Sequence, residues 1–215
     1  MEIRVMDRVD TAAIRAAVME DGRIRVLPAA VWESFSWDET RTLMHEDAVY
    51  VLPTQELVSF LDSQIGGRTA LEIGAGTGYI GRALGIRMTD SYQQRDDPET
   101  VMAYRMMRQP LVRYPHDVIK LEANAAVGRY HPQVVVGCYV THRWCPGMAS
   151  GNMKGVDFER LLPRVEKLIL VGNLRTHADN PIMALPHEEI RLDGLITRSD
   201  DPSSNRVCVW EWDSD

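Results

Sequence analysis

Glu72, Gly74, Gly76 and Gly78 carry the clearest chemical signal in this chain. An apolar run, Ala70 to Ile73, precedes the glycines and is interrupted only by Glu72. An amphipathic run, Tyr79 to Leu84, follows and stops at Gly85. That order predicts a buried strand, a tight turn and a helix closed by a C-terminal glycine. Glycine has no Cβ, so a ligand can approach the main chain closely. A carboxylate two residues ahead of the first glycine suits a ligand with positive charge and opposes a pyrophosphate, because like charges repel. A second reading stays open. Gly76, Gly78 and Gly81 also fit G-x-G-x-x-G, the dinucleotide fingerprint.

Asp90 is the next chemical residue. Ile86 to Asp90 reads as a second strand, and a carboxylate at its tip can accept hydrogen bonds from both ribose hydroxyls of an adenosine. Both readings of the glycines use this device; a solvated turn aspartate is the plainer alternative. After a third strand, Val118 to Leu121, come Glu122-Ala123 and Asn124. A carboxylate or an amide oxygen there can accept from an amino group. Val134 to Val140 lacks alternation, as expected of a central parallel strand buried on both faces. It runs into Tyr139-Val-Thr-His142-Arg-Trp144. In parallel α/β sheets the ligand crevice lies at the carboxyl ends of the strands. Tyr139 and Trp144 can then supply aromatic walls, or Trp144 can pack under the next loop. His142 can take a proton near neutral pH.

Glu72 with Gly74-x-Gly76-x-Gly78 resembles motif I of the class I S-adenosylmethionine (SAM)-dependent methyltransferases, an acidic residue followed by G-x-G-x-G. The resemblance extends through Asp90, the Glu122-Ala123 pair after the third strand, the central strand and a helix-free pair of strands at the end. It covers roughly residues 54–212, and motif I is its specific part. It implies a Rossmann-like α/β fold, a seven-stranded, mostly parallel sheet of order 3-2-1-4-5-7-6 with helices on both faces. Only the seventh strand would be antiparallel. It implies SAM as cofactor, held by Glu72, Gly74, Ala75, Gly76, Thr77, Gly78, Asp90, Ser91, Glu122, Ala123 and Tyr139. Tyr139 and His142 are then the candidate catalytic residues.

A sulfonium carries its own leaving group, so such an enzyme chiefly aligns two reactants. A base is needed only when the nucleophile arrives protonated. The place for an Asp/Asn/Ser-Pro-Pro-aromatic motif holds Tyr139-Val-Thr-His142, and Cys145-Pro146 reverses the Pro-Cys order of cytosine-C5 enzymes. No carboxylate cluster follows the fourth strand, and His142 with Cys145 does not make a zinc site. No metal is expected, and Cys145 reads as an incidental thiol. The acceptor is therefore expected to be a small molecule or a protein side chain rather than nucleic acid. Two other classes stay open: an NAD-type oxidoreductase using Gly76, Gly78, Gly81 and Asp90, and a non-catalytic SAM-binding or partner-binding module.

The elements that must position these residues follow from length and pattern. A chain of 215 residues with 45% hydrophobic and 26% charged residues suits one domain plus a terminal segment. Residues 1–50 read as an N-terminal helical and aromatic cap, and 51–215 as the SAM-binding domain. Asp10 is placed to cap a helix from about Thr11 to Met19, Asp21-Gly22 marks a turn, and Arg23 to Leu27 suits a short strand. Trp32, Phe35 and Trp37 form either a satellite core or a wall of the cofactor pocket. Thr54 caps a helix with Leu57, Val58, Leu61 and Ile65 on one face, ended by Gly66-Gly67. Asp97-Pro98 starts another, from about Val101 to Arg108, whose Arg105 and Arg108, with Arg113, read as a solvated face or a nucleic-acid contact.

Cys145 to Val156 reads as a loop, Asp157 as the cap of a helix to Leu162, and Val165 to Val171 as a fifth strand. His177 to Pro186 reads as an irregular connector. Glu188 to Thr197 and Asn205 to Trp212 are two final strands. A net charge of −7 disfavours a nucleic-acid binder. Three cysteines without framework spacing suit a reducing, cytoplasmic setting. No signal peptide or membrane-spanning run is read.

Overall fold

The structure, a computed structural model, describes residues 9–143 and 154–212. Trp144, Cys145 and the first part of the glycine-rich stretch lie outside the described residues.

The N-terminal segment builds its own small core. Helix α1 (Ala12–Val18) leads into a hairpin of β1 (Met19–Glu20) and β2 (Arg23–Ile24), turned by Asp21 and Gly22, both at positive φ. Thr11, not Asp10, occupies the N-cap. Asp10 Oδ1 instead accepts from the Ala12 N–H at 2.9 Å. Helices α2 (Ala29–Glu33) and α3 (Trp37–Glu46) follow. A reciprocal Ser36–Glu39 capping box opens α3, satisfying two otherwise orphaned N–H groups. Ile14, Val18, Trp32, Leu43, Met44 and Leu52 bury one another, with Phe35 and Tyr79 packed beside them. Trp32 therefore belongs to the satellite core, and Trp37 is exposed.

Helix α4 (Gln55–Ile65) brings the chain to the sheet. Thr54 Oγ1 accepts from the Leu57 N–H at 3.2 Å, and Gly66, at φ 60°, ends the helix in the left-handed region. Alternating strands and helices follow: β3 (Ala70–Ile73), α5 (Tyr79–Leu84), β4 (Arg87–Asp90), α6 (Gln93–Asp96) and α7 (Pro98–Met106). Next come β5 (Ile119–Lys120), α8 (Ala123–Tyr130), β6 (Val134–Cys138), α9 (Phe158–Leu161), β7 (Lys167–Asn173), β8 (Glu188–Ile190) and β9 (Asn205–Glu211). Asp97 caps α7 through the Thr100 N–H. That helix buries none of its residues, and Arg105, Arg108 and Arg113 are exposed. Among the described residues no helix is long and apolar enough to cross a membrane.

Strands β3 to β9 form one mixed sheet of order β5-β4-β3-β6-β7-β9-β8. Counted among themselves, the seven strands run 3-2-1-4-5-7-6. All pairings from β5 to β7 are parallel, and β9 runs antiparallel to both its neighbours. The strand period of two divides the core. Leu71, Ile73, Val135, Leu168, Leu170 and Trp210 face Ala126, Val127, Phe158 and Leu161 of α8 and α9. Val134, Val136, Ile169, Val171, Val207 and Val209 face Leu57, Leu61 and Ile80 of α4 and α5. Burial on both faces explains why β6 reads as a continuous apolar run.

Several strands are shorter than their sequence predicts, among them β2, β6, β5 and β8. β5 keeps only Ile119 and Lys120 of the expected Val118 to Leu121, and Glu122 already stands at the N-cap position of α8. β8 stops at Ile190 rather than Thr197, because the backbone beyond it pairs with the N-terminal segment. The Leu52 N–H donates to Ile196, the Arg198 N–H to Tyr50, and Thr54 Oγ1 to the Gly194 carbonyl. One 3-10 turn, Pro202–Ser204, completes the connection to β9.

Candidate functional site

A cavity of about 650 Å³ opens at the carboxyl ends of β3, β4 and β6, within the usual size range for small-molecule sites. Its floor is the turn between β3 and α5. Gly74, Gly76 and Gly78 all take positive φ, 58°, 53° and 71°. This fold of the turn is one that residues with a Cβ resist. A Cβ on Gly76 would meet nothing in the protein closer than Val112, at 3.9 Å, so the space before it is the cavity itself. Glu72, Gly74, Ala75, Gly76 and Thr77 line the cavity.

Gly78 does not line it. As the N-cap of α5 it faces the packing beneath, where a Cβ would lie 3.0 Å from both Met88 and Val118. Gly78 is thus not among the motif residues that reach the cavity.

Glu72 lines the cavity from a nearly inaccessible position. It is 2% exposed, and its Oε2 accepts from the Gly81 N–H in the first turn of α5 at 2.8 Å. A Cβ on Gly81 would sit 2.5 Å from that oxygen, so glycine is what lets the helix reach the carboxyl. Burial raises the Glu72 pKa to about 8, against the opposing effect of the Gly81 hydrogen bond. At neutral pH the cavity floor therefore holds a protonated acid, not the ready-made anion that the spacing suggested. Since Glu72 already holds this N–H, it competes with the anion site a pyrophosphate would use.

Asp90, at the tip of β4, is 8% exposed. Its Oδ2 accepts from the Gly76 N–H at 2.9 Å and its Oδ1 from the Tyr92 N–H at 2.7 Å. The carboxylate thus ties the glycine turn to the next strand. Burial pushes its pKa up, and hydrogen bonds from Tyr92, Gly76 and Tyr114 oppose that. Each carboxylate oxygen accepts more than one bond, so capacity remains for a ligand hydroxyl. Ser91 beside it lines the cavity, as do Gln94, Tyr104 and Tyr114. Across the opening, Glu122 and Ala123 line the wall, whereas Asn124 does not. Asn124 is buried away from the cavity, its Nδ2 donating to the Asp157 carbonyl at 3.2 Å.

Beyond β6 the chain turns sharply. Tyr139 sits at φ 53°, an uncommon value for a residue with a Cβ. Its hydroxyl donates to Thr197 Oγ1 at 3.1 Å, and burial raises its pKa. Tyr139 and His142 both line the cavity. Desolvation, with the neighbouring His177, lowers the His142 pKa, while a hydrogen bond to the Asp179 backbone opposes this.

Three groups of lining residues have no motif in the sequence. Ala48 to Val51 close one side, and among them the Tyr50 hydroxyl lies 3.0 Å from that of Tyr104. These residues, rather than Trp32, Phe35 and Trp37, carry the N-terminal segment to the opening. Gln94, Tyr104 and Tyr114 come from the stretch after β4. Thr176, His177 and Asp179 come from the stretch just past β7, which reads as a mere connector. The rule that singles out the end of β6 applies equally to the end of β7 and would have found them. Among the described residues no cluster of histidine, cysteine and carboxylate side chains could hold a metal ion.

No family model matches the chain, and no curated protein matches it either. Among the solved structures with distant likeness are the following three. A hypothetical protein of Thermus thermophilus is 16% identical at a TM-score of 0.38, over 73% of this chain and 82% of that one. A candidate methyltransferase from Escherichia coli, yhhF, is 12% identical at a TM-score of 0.36, over 74% and 89%. A SAM-dependent methyltransferase from Agrobacterium tumefaciens is 12% identical at a TM-score of 0.31, over 72% and 60%. At that distance, the reading of the cavity rests on this chain's own residues.

Proposed function

We propose that the chain is a SAM-dependent methyltransferase with the Rossmann-like fold of class I, acting on a small molecule or a protein side chain. The observation that carries this reading is the pairing of the left-handed glycine turn with Asp90. The turn exposes its backbone to the cavity at Gly74 to Thr77, and Asp90 holds that turn through the Gly76 N–H. The antiparallel β9 supports it, since an all-parallel dinucleotide fold predicts another helical crossover at this place.

The cavity fits SAM on its donor set. The open space before Gly76 admits a ligand against the main chain, Asp90 retains capacity for one ribose hydroxyl, and a sulfonium or ammonium beside Glu72 would favour its ionised form. Ser91, Glu122 and Ala123 would border the adenine, and Tyr139 the reactive end. Bound there, SAM would supply an electrophilic methyl group. The chain's own part is to bind, orient and exclude water, with Ala48 to Tyr50 of the N-terminal cap closing the side of the opening.

Calorimetry tests the reading. SAM and S-adenosylhomocysteine should bind and NAD should not, and Gly76→Val, which fills the open space and strains the turn at φ 53°, should abolish binding. NAD binding as tight as SAM would overturn the assignment in favour of the oxidoreductase.

A further inference from the structure

Helix α7 has an outer face with no cover. It buries none of its residues. Met102 and Met106 are 64% and 79% exposed, and Met107, just past the helix, is 44% exposed. These are the three most exposed large apolar side chains among the described residues. Met102 and Met106 stand four apart and so share one side of the helix. Single exposed apolar residues are ordinary, whereas neighbouring ones form a patch that a partner can cover.

Another side of the same helix lines the cavity through Thr100, Ala103 and Tyr104. The Tyr104 hydroxyl meets that of Tyr50 and accepts from Gln94 Nε2, which ties this side to the cavity wall. A partner settled on the methionines therefore lies about one helix diameter, roughly 10 Å, from the opening.

The charge beside the patch has one sign. At the start of α7 the carboxylates of Asp96, Asp97 and Glu99 are matched by Arg95, Lys120 and Lys154. From Val101 to Arg113 the sequence holds Arg105, Arg108 and Arg113 and no acidic residue. All three arginines are exposed, and no carboxylate among the described residues pairs with them. Charges more than about 8 Å away are screened at physiological salt. A partner here thus meets the arginines rather than the net charge of −7.

Methionine is flexible and polarizable and packs against varied apolar side chains. Arginine pairs with carboxylates. Together they fit a polypeptide that carries apolar side chains among acidic ones. Nucleic acid fits less well, because the exposed residues of this stretch include no aromatic on which bases could stack. A membrane would have to cover the Lys154–Glu99 ion pair, since Glu99 stands three residues before Met102 on the same side.

We propose that the outer face of α7 docks an acidic polypeptide and that a side chain of this partner is the methyl acceptor. The proposal rests on reading the cavity as a methyl-transfer site. Of the two acceptor classes open to that site, it selects the protein.

The probe is a fluorescein-labelled peptide in which leucines alternate with pairs of glutamates, with one benzophenone side chain at its centre. Mixed with the full chain, it should raise anisotropy to saturation and bind less well as salt rises. Light should link it to Met102, Met106 or Met107, as located by mass spectrometry. Met102→Ser with Met106→Ser, and separately Arg105→Gln with Arg108→Gln, should each weaken binding at least about fivefold. SAM affinity should change by less than about twofold in both. The cross-link reads the site in wild-type protein and needs no variant. With tritiated SAM and cell extract the chain should label protein, and excess probe should suppress that label. No saturable binding, a link outside α7, unchanged affinity in both variants, tighter binding of oligouridylate or of phosphatidylserine vesicles, or label absent from protein would each overturn the proposal. Docking without SAM binding overturns the methyl-transfer reading and leaves the docking face. SAM binding without docking overturns this proposal alone.

Discussion

Replacing Glu72 by Gln should make the protein more stable at high pH, and the structure sets the size of the effect. The Glu72 carboxyl is buried, and its pKa stands at about 8 against an ordinary 4.5. Between those values the folded state holds a proton that the unfolded state has released. Stability therefore falls as pH rises through that window, is unaffected below about 4.5, and reaches its full loss above about 8. At about 1.4 kcal/mol per pH unit the gap corresponds to roughly 5 kcal/mol. Water entry and relaxation make that a ceiling, so about 2–5 kcal/mol is expected. Gln keeps an oxygen for the Gly81 N–H and cannot ionise. Urea unfolding of wild type and Glu72→Gln at pH 4, 7 and 9, followed by circular dichroism, measures the difference. His142 and His177 titrate in both proteins and cancel in the comparison, whereas Asp90 is coupled to Glu72 by charge and is part of the difference read. The two should match at pH 4 and diverge steadily above it, with the variant more stable at pH 9. Parallel profiles across the range would refute the claim that a neutral acid is buried here.

The same proton should be visible in cofactor binding. With a pKa near 8, Glu72 is mostly protonated at pH 7, so a cation seated beside it should release protons on SAM binding. Calorimetry in buffers of different ionisation enthalpy reads this directly, and a buffer-independent heat would show that SAM does not contact Glu72. Asp90→Ala should weaken SAM by about 1–3 kcal/mol, and 2′-deoxy-SAM should lose less affinity in this variant than in wild type. Equal losses in both proteins would mean that Asp90 acts only by holding the Gly76 N–H.

Local pattern alone determines a large part of this protein. The Ala70 to Ile73 run, the alternating glycines and the Gly85 stop specify a strand, a left-handed turn and a short helix, because each depends on backbone chemistry within a few residues. Thr54, Asp97 and Asp157 mark three helix starts through side-chain caps that lie within the same turn. The unbroken apolar run of β6 announces burial on both faces, and the absence of a helical pattern near the end foretells an antiparallel last strand. Asp90 is legible as a site residue because it stands at a strand tip.

What only the tertiary structure decides are the quantities that depend on distant neighbours. Glu72 is ionisable in any sequence reading, and only the packing of α5 through Gly81 shows that it is buried and protonated. Gly78 belongs to the same motif as Gly76 yet turns into the packing, a difference set by Met88 and Val118 rather than by spacing. The chain beyond Ile190 leaves the sheet because its backbone groups find partners at Tyr50 and Leu52, far earlier in the sequence, and that pairing carries Tyr50 to the cavity. His177 sits in a stretch with no periodicity. It reaches the cavity wall because Gly172 leaves room for its ring and the Asn173 backbone hydrogen-bonds it. No local rule carries that information, since long-range hydrogen bonds and close backbone approach exist only once the sheet has assembled.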